Sequence, residues 1–308
     1  MKNQDFLIGD ELKPEELSNL IDSSIQEKEF FKNGGSDLAL KDKTIGLLFE
    51  KQSTRTRVSF ESGVYQLAGN TIFLTQNETQ LSRGESVADT ARVLSLYLDA
   101  IVVRTFNHGT IEKLALNSTI PIINGLTDLY HPCQALADYM TLKEEFGDLK
   151  GLKISYLGDG NNVLHSLLVL GAMLGINIHA ACPPKLFPNQ NVVKQAIKIG
   201  KSTGSEIKIS DDIDTVCRDA VAIYTDVWVS MGDEEEKKIR TKLLSPYQVD
   251  EELFKITQKD AVFMHCLPAH RGEEVTSTVL DGKRSIVYKQ AENRMHCQKT
   301  LLKFLLGT

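Results

Sequence analysis

The sequence lacks a hydrophobic run long enough to cross a membrane. A transmembrane helix needs about 20 consecutive apolar residues, and the apolar runs of this chain are much shorter. The first residues, Met1-Lys2-Asn3-Gln4-Asp5, also lack the basic and apolar regions of a signal peptide. We therefore expect a cytoplasmic protein without a membrane partner.

Paired cysteines and an excess of positive charge are missing as well. The five cysteines are odd in number, widely spread and never form a CxxC pair. Their distribution argues against a disulfide framework and against a zinc site. Acidic residues outnumber basic ones by 41 to 35, which argues against nucleic acid as the main partner. An anionic ligand would therefore need a local positive site.

The sequence does contain a regular alternation of strand-like and helix-like segments. Its 308 residues are enough for two domains of about 150 residues each. Amphipathic stretches predict helices, for example at 87–97 and 165–174. This alternation predicts an α/β fold with parallel sheets. Short apolar runs predict the strands 44–49, 71–74, 100–104, 121–124, 153–157, 177–181, 206–209, 220–224 and 261–265.

The run Ser53-Thr54-Arg55-Thr56-Arg57 indicates an anion-binding site. It lies between the predicted strand 44–49 and an amphipathic segment, 58–67, that predicts a helix. The first N–H groups of a helix have no intrahelical partners and carry partial positive charge. Arginines there add charged donors that fit phosphate oxygens. The alternative is a capped helix start with two solvated arginines.

Polar side chains follow several other predicted strands. Ligands of open α/β sheets bind outside the carboxyl ends of the strands, so these side chains are candidates for a site. Each also has a structural interpretation: His131 could be a structural histidine, Asp226 could cap a helix, and Cys266 could be an inert thiol. Their collection at one edge of each predicted sheet favours function. The segments concerned are Arg104, 131–134, 158–162, 225–232 and 266–274.

The segment Gly158-Asp159-Gly160 is similar to the start of a dinucleotide-binding fingerprint. Position 163 is valine where the third glycine belongs, and no acidic residue clearly ends the next strand, 177–181. Both departures disfavour a nicotinamide site. A dehydrogenase therefore stays a weak alternative that a nicotinamide-binding titration would test.

Two blocks in each half of the chain resemble the aspartate/ornithine carbamoyltransferase family. The first half contains FEKQSTRTR at 49–57 and HPCQALAD at 131–138, with Arg104 between them, and resembles the carbamoyl phosphate half of that family. The second half contains DVWVSMG at 226–232 and HCLPAHR at 265–271. These two blocks resemble the ornithine-specific members rather than the aspartate-specific ones. The resemblance spans nearly the whole chain.

The resemblance implies two domains, each a parallel sheet flanked by helices, with the active site in the cleft between them. We expect a carbamoyl phosphate-binding domain at 1–135, an ornithine-binding domain at 136–290, and a C-terminal helix at 291–308 that packs back on the first domain. It also implies a homotrimer with shared active sites, in which Gln80 enters the site of a neighbouring subunit. Ser82 departs from the family pattern, where glycine is expected.

The implied reaction transfers the carbamoyl group of carbamoyl phosphate to the δ-amine of L-ornithine, giving L-citrulline and phosphate, in arginine metabolism. The resemblance implies neither a cofactor nor a metal. Arg104 and His131 are expected to stabilise the oxyanion, and Gln134 to accept from the carbamoyl NH₂ group. The residues assigned to carbamoyl phosphate are Ser53, Thr54, Arg55, Thr56, Gln80, Arg104, His131, Gln134, Cys266, Leu267 and Arg294.

On the ornithine side, the resemblance assigns Asn162, Asp226, Ser230 and Met231. Asp226 is expected to pair with the α-amino group, which fits a cationic substrate and disfavours an acidic one. Cys266, the third residue of the expected catalytic set with Arg104 and His131, is a candidate proton acceptor near the δ-amine. Leu267-Pro268 is a candidate cis peptide.

The nearest alternative is a related carbamoyltransferase that uses putrescine, an N-acylated ornithine or aspartate. The block at 226–231 favours free ornithine over these acceptors. A non-enzymatic ligand-binding protein would require a damaged site, and the motifs contain every charged group that the reaction needs.

Overall fold

The computed structural model describes residues 5–229 and 234–308. Nine strands lie in this part of the chain, and each coincides within a few residues with a predicted one. They are β1 (Thr44–Phe49), β2 (Asn70–Thr75), β3 (Ala100–Arg104), β4 (Ile122–Leu126), β5 (Lys153–Leu157), β6 (Asn177–Ala181), β7 (Ile207–Ser210), β8 (Ala222–Thr225) and β9 (Val262–His265).

Helices precede, separate and follow these strands, together with short 3-10 turns. None of the helices within 5–229 and 234–308 combines the length and the apolar composition that a bilayer crossing requires. They are α1 (Pro14–Lys32), α2 (Thr54–Gln66), α3 (Val87–Leu94), α4 (His108–Asn117), α5 (Pro132–Phe146), α6 (Asn162–Met173), α7 (Gln190–Thr203), α8 (Ile213–Cys217), α9 (Glu234–Leu244), α10 (Ser277–Leu280) and α11 (Val287–Leu306).

The chain forms two compact units. Unit 1 contains the chain up to Met140 together with Asn293–Thr308, and unit 2 contains Thr141–Glu292. The boundaries expected from the sequence, at 135/136 and 290/291, fall a few residues earlier along the chain. In the structure both changes of unit occur inside helices, α5 and α11, so no loop marks them.

Unit 1 is built on a four-stranded parallel sheet with the order β2-β1-β3-β4. From Ile45 to Phe49, β1 is buried, as expected for a central strand covered on both faces. The chain leaves β1 toward β2 on one side and returns to β3 on the other. The carboxyl ends of β1 and β3 therefore form a switch point, where open α/β sheets bind ligands.

Unit 2 is built on a five-stranded parallel sheet with the order β7-β6-β5-β8-β9. Here the chain runs outward from β5 to β7 and then returns to β8 on the other side of β5. The switch point thus lies at the carboxyl ends of β5 and β8. α6, which follows β5, is buried from Val163 to Met173, so its start is held firmly at this point.

Candidate active site

The start of α2 occupies the switch point of unit 1. Ser53 is its N-cap: the backbone is extended, and Oγ accepts a hydrogen bond from the Thr56 N–H at 3.3 Å. Thr54 and Arg55 are exposed on the first turn, whereas Thr56 is fully buried. A short polar cap after β1 therefore presents hydroxyl groups and a guanidinium where an anion is favoured.

Thr56 accepts a hydrogen bond from an arginine near the C-terminal end of the chain, Arg294. Arg294 lies on α11, is 4% exposed, and donates from Nη2 to Thr56 Oγ1 at 2.9 Å. Arg104, expected in the same group, ends β3 beside β1. Three guanidinium-bearing residues, Arg55, Arg104 and Arg294, thus belong to one part of unit 1.

Burial and the positive charges of these three arginines lower the pKa of His131. Its pKa is held well below the ordinary value, first by burial and then by the positive charges of Arg294, Arg104 and Arg55. The imidazole is therefore neutral at neutral pH, and one ring nitrogen bears a hydrogen. A neutral histidine can donate a hydrogen bond to a carbonyl oxygen without adding charge to the group.

Gln134, one turn further along α5, is oriented by a neighbour on the same helix. Its Nε2 donates to Asp138 Oδ1 at 2.8 Å, and the side chain is only 1% exposed. Within the part of the chain that the structure describes, no hydrogen bond reaches its buried Oε1. That oxygen is the acceptor that an amide NH₂ of a ligand would require.

Cys133 belongs to the same motif but has a structural role. Its Sγ donates to the Asn124 carbonyl at 3.3 Å, and burial raises the pKa of the thiol to about 12. A thiol in this state is a poor nucleophile.

In unit 2, Asp226 follows β8 and is 7% exposed. Asn161 Nδ2 donates to Asp226 Oδ2 at 2.7 Å, and the Cys266 thiol donates to Oδ1 at 2.9 Å. The Val227 N–H also donates to Oδ1, at 2.8 Å. The carboxylate is thus held in one orientation at the switch point, with Cys266 against it.

The segment after β9 is held by His265 and Glu274, both fully buried. His265 Nδ1 accepts from the Leu267 N–H at 2.8 Å, so Nε2 carries the hydrogen and faces Glu274 Oε1 at 3.2 Å. Burial raises the pKa of Glu274, but hydrogen bonds from His265 and the His270 N–H outweigh it and leave that pKa below its ordinary value. Leu267-Pro268 is a cis peptide, as expected.

Asp226, His265 and Cys266 also offer three metal-ligand atoms within 4.8 Å of one another. The hydrogen bonds from Cys266 to Asp226 and between His265 and Glu274 account for this arrangement through protein groups.

The glycine-rich turn after β5 has a structural explanation. A Cβ on Gly160 would lie 2.2 Å from the Pro188 nitrogen and 2.6 Å from the Leu186 oxygen. Glycine is needed there because another loop packs directly on the backbone, which removes the reason to read this segment as a dinucleotide fingerprint.

Comparison with known proteins gives a family match for each half of the chain. Residues 4–144 match the domain family described as "Aspartate/ornithine carbamoyltransferase, carbamoyl-P binding domain". Residues 150–305 match "Aspartate/ornithine carbamoyltransferase, Asp/Orn binding domain". The chain belongs to the aspartate/ornithine carbamoyltransferase family.

Individual members of the family are similar over their whole length. The ornithine carbamoyltransferase of Oceanobacillus iheyensis is 51% identical over 307 residues, which covers 100% of this chain and 95% of the relative. The solved ornithine carbamoyltransferase from Pyrococcus furiosus is 45% identical with a TM-score of 0.96, covering 99% and 98% of the two chains. The Gloeobacter violaceus structure is 41% identical with a TM-score of 0.88, covering 99% of both.

The structure brings most of the expected residues into two groups, one in each unit of this family member. The first group contains Ser53, Thr54, Arg55, Thr56, Arg104, His131, Gln134 and Arg294, and the second contains Asn162, Asp226, Cys266 and Leu267. Gln80 begins a 3-10 turn, Gln80–Arg83, and its side chain is exposed. Ser230 and Met231 lie outside the described residues.

Sequence reasoning did not single out several residues that hold this site. Asp138 orients Gln134 and could have been found, because it lies four residues further along the same helix. Asn161 holds Asp226, although only Asn162 was expected to take part. Glu274, the buried partner of His265, lies in the candidate segment 266–274 but was given no role.

Proposed function

We propose that this protein transfers the carbamoyl group of carbamoyl phosphate to the δ-amine of L-ornithine, giving L-citrulline and phosphate. The observation that carries the proposal is the group in unit 1: three arginines around a neutral, buried His131, with the free acceptor oxygen of Gln134 one turn away. This set matches a phosphate, a carbonyl oxygen and an amide NH₂, which together define a carbamoyl phosphate.

The phosphate is assigned to Arg55 and the first turn of α2. N–H groups at a helix start and the Ser53, Thr54 and Thr56 hydroxyls donate to an anion, and Arg55 supplies charge. Arg294 joins them through its hydrogen bond to Thr56.

The carbamoyl group is assigned to Arg104, His131 and Gln134. Arg104 and neutral His131 donate to the carbamoyl oxygen, on which negative charge develops when the amine attacks the carbon. Losing one such donor typically lowers kcat by a factor of about 10²–10³. Gln134 Oε1 accepts from the NH₂ group because Asp138 already holds the amide nitrogen.

Ornithine is assigned to unit 2. Asp226 pairs with the α-amino group: a carboxylate offers about four lone-pair sites, so its bonds to Asn161, Val227 and Cys266 leave about one for an ammonium. Asn162, Ser230 and Met231 take the amino-acid end.

Cys266 and the Leu267 carbonyl are assigned to the δ-amine. The Cys266 thiol directs its hydrogen toward Asp226, so the sulfur presents lone pairs to the amine. The Cys266–Asp226 pair takes the proton that the δ-ammonium loses before it attacks. The neutral amine then forms the new bond to carbon, the carbon–oxygen bond to phosphate breaks, and the proton that the attacking nitrogen loses goes to the departing phosphate, which leaves as HPO₄²⁻. No enzyme nucleophile is required, because ornithine supplies one; positioning both reactants can contribute roughly 7–11 kcal/mol.

The assembly that we propose is a homotrimer in which Gln80 completes the phosphate site of a neighbouring subunit. Its support is one face of α2, where Val58 and Tyr65, seven residues apart and therefore on the same side of the helix, are 52% and 82% exposed. Large apolar side chains grouped on one face favour a protein contact. We further propose that the protein acts in the cytoplasm, because five free cysteines suit a reducing compartment. The pathway that we propose for it is arginine biosynthesis.

The decisive experiment measures citrulline formation from carbamoyl phosphate with ornithine, beside putrescine, N-acetylornithine and aspartate at equal concentrations. We expect kcat/KM to be highest for ornithine and to fall when Asp226 is replaced by asparagine. A preference for putrescine, which lacks the α-amino and carboxyl groups, would overturn the assignment of Asp226.

A further inference from the structure

The position of Arg294 depends on how α11 is held in unit 1. Three lysines connect this helix to the N-terminal part of the chain. Lys299 donates to Gln66 Oε1 at 3.0 Å, and its Nζ lies 3.3 Å from the centre of the Phe31 ring. Lys303 donates to Glu27 Oε2 and Asp37 Oδ2.

The third connection reaches the residue next to Arg294. Lys28 on α1 is 6% exposed, and its Nζ donates to Asn293 Oδ1 at 2.7 Å. Asn293 is fully buried, and Arg294, the next residue, donates to Thr56 at 2.9 Å. A continuous path of short contacts therefore leads from a buried lysine on α1 to the start of α2.

We propose that Lys28 is a positioning residue for carbamoyl phosphate binding: through Asn293, it fixes the turn of α11 from which Arg294 reaches Thr56. This inference rests on the proposed role of Arg294 toward carbamoyl phosphate. Lys28 itself does not touch the ligand.

The physical basis is the cost of leaving a buried polar atom without its donor. Without Lys28, Asn293 Oδ1 loses a short charge-assisted bond, and the helical turn can shift to seek another donor. Arg294 is part of that turn, so its guanidinium shifts with it. Small displacements of groups that position a substrate have large effects on rate, about 10²-fold for 1 Å.

Lys303 provides a matched control. It also joins α11 to α1, through Glu27, but lies nine residues beyond Arg294, about 13 Å along the helix axis. Lys303→Met should therefore lower the melting temperature without changing the KM for carbamoyl phosphate.

The key variant replaces both partners of the buried bond by apolar residues, Lys28→Met with Asn293→Leu. Replacing both partners removes the buried ammonium and the buried Oδ1 together, so stability should return toward that of the unaltered protein. The single variant Lys28→Met should be less stable. If the bond positions Arg294, KM for carbamoyl phosphate stays raised in the double variant even though stability recovers.

The experiment measures Tm, kcat and both KM values on the full chain. We expect Lys28→Met to raise the carbamoyl phosphate KM about tenfold, equivalent to ~1.4 kcal/mol, with the ornithine KM unchanged and with partial recovery in Lys28→Arg. In an Arg294→Lys background, Lys28→Met should add less than about twofold, because both changes act on one contact.

The outcomes separate the inference from the proposed function. If Arg294→Lys leaves the carbamoyl phosphate KM unchanged, the role of Arg294 itself is wrong. If Arg294→Lys raises that KM but neither Lys28→Met nor the double apolar variant does, the positioning role of Lys28 is wrong. An equal rise in Lys28→Met and Lys303→Met would show a general loosening of α11 and would overturn it too.

Discussion

Replacement of Asn161 by serine or by aspartate would separate the two tasks of this side chain. Asn161 Oδ1 caps α6 by accepting from the Val163 and Leu164 N–H groups at 3.0 and 3.2 Å, while Nδ2 holds Asp226 at 2.7 Å. Both replacements can keep the cap. Serine is too short to reach the carboxylate, and aspartate places a second carboxylate against it.

The expected magnitudes follow from these contacts. A hydrogen bond to a charged group contributes about 1.5–3 kcal/mol, so Asn161→Ser should lower kcat/KM for ornithine roughly 10- to 150-fold. In Asn161→Asp, two charges at the observed 2.7 Å would repel by about 6 kcal/mol at an effective dielectric constant of 20. The pair therefore retains a proton, and its upper pKa rises above the ordinary carboxylate range.

The protonation of this pair determines how the activity and stability of Asn161→Asp change with pH. Below that raised pKa, one carboxyl group is protonated and can donate as the amide did; above it, both are charged and repel. The activity and stability of Asn161→Asp relative to the unaltered protein should thus recover as pH falls.

The assay is steady-state citrulline formation over a range of ornithine concentrations and pH, with thermal unfolding alongside. Asn161→Ala is the control for capping, since it alone should also lose about 1 kcal/mol of helix stability. The reasoning fails if Asn161→Ser keeps kcat/KM within about threefold of the unaltered protein. It also fails if Asn161→Asp loses activity further as pH falls.

Three other predictions concern unit 1. Because the pKa of His131 is depressed in the folded protein, the unfolded chain takes up a proton below about pH 6.5 while the folded chain does not. The free energy of unfolding therefore falls as pH drops through that range. His131→Asn should make this fall smaller when Tm is measured against pH. Gln134→Leu should lower kcat/KM for carbamoyl phosphate by roughly 10- to 100-fold because a buried acceptor is lost, and it should also lower Tm because the buried Asp138 Oδ1 loses its Gln134 donor; unchanged kinetics would contradict the assignment. Mixing inactive Gln80→Ala and Arg55→Ala subunits should restore citrulline formation if sites are shared, whereas inactive mixed trimers, shown to form by mass spectrometry, would count against sharing.

The sequence predicted the sheets well because buried parallel strands read as continuous apolar runs. β1, from Thr44 to Phe49, and β5, from Lys153 to Leu157, have the predicted bounds. β4 and β8 begin one or two residues later than predicted. The residue at which a strand begins or ends depends on pairing with a neighbouring strand, which no local run of residues specifies.

The site was less predictable where tertiary contacts choose between similar residues. Asn161 and Asn162 are adjacent and chemically identical, and only the packing of α6 decides that Asn161 is the cap that faces Asp226. Glu274 lies in a polar loop sequence and becomes a buried partner of His265 only through the fold. Motif resemblance led to proposals for residues that contact substrates, but it gave no role to the residues that orient them.

The three guanidinium groups that act on His131 have a consequence for the anions that this protein meets in solution. The chain has a net charge of −6, yet three guanidinium groups act together on one buried imidazole. Sulfate and inorganic phosphate are oxyanions like the phosphoryl end of the substrate, and they should compete with it for the site formed by these guanidinium groups. Because the group is partly shielded from solvent, added monovalent salt screens it less than it screens surface charges. Buffer identity, more than ionic strength, will therefore set the apparent affinity for carbamoyl phosphate.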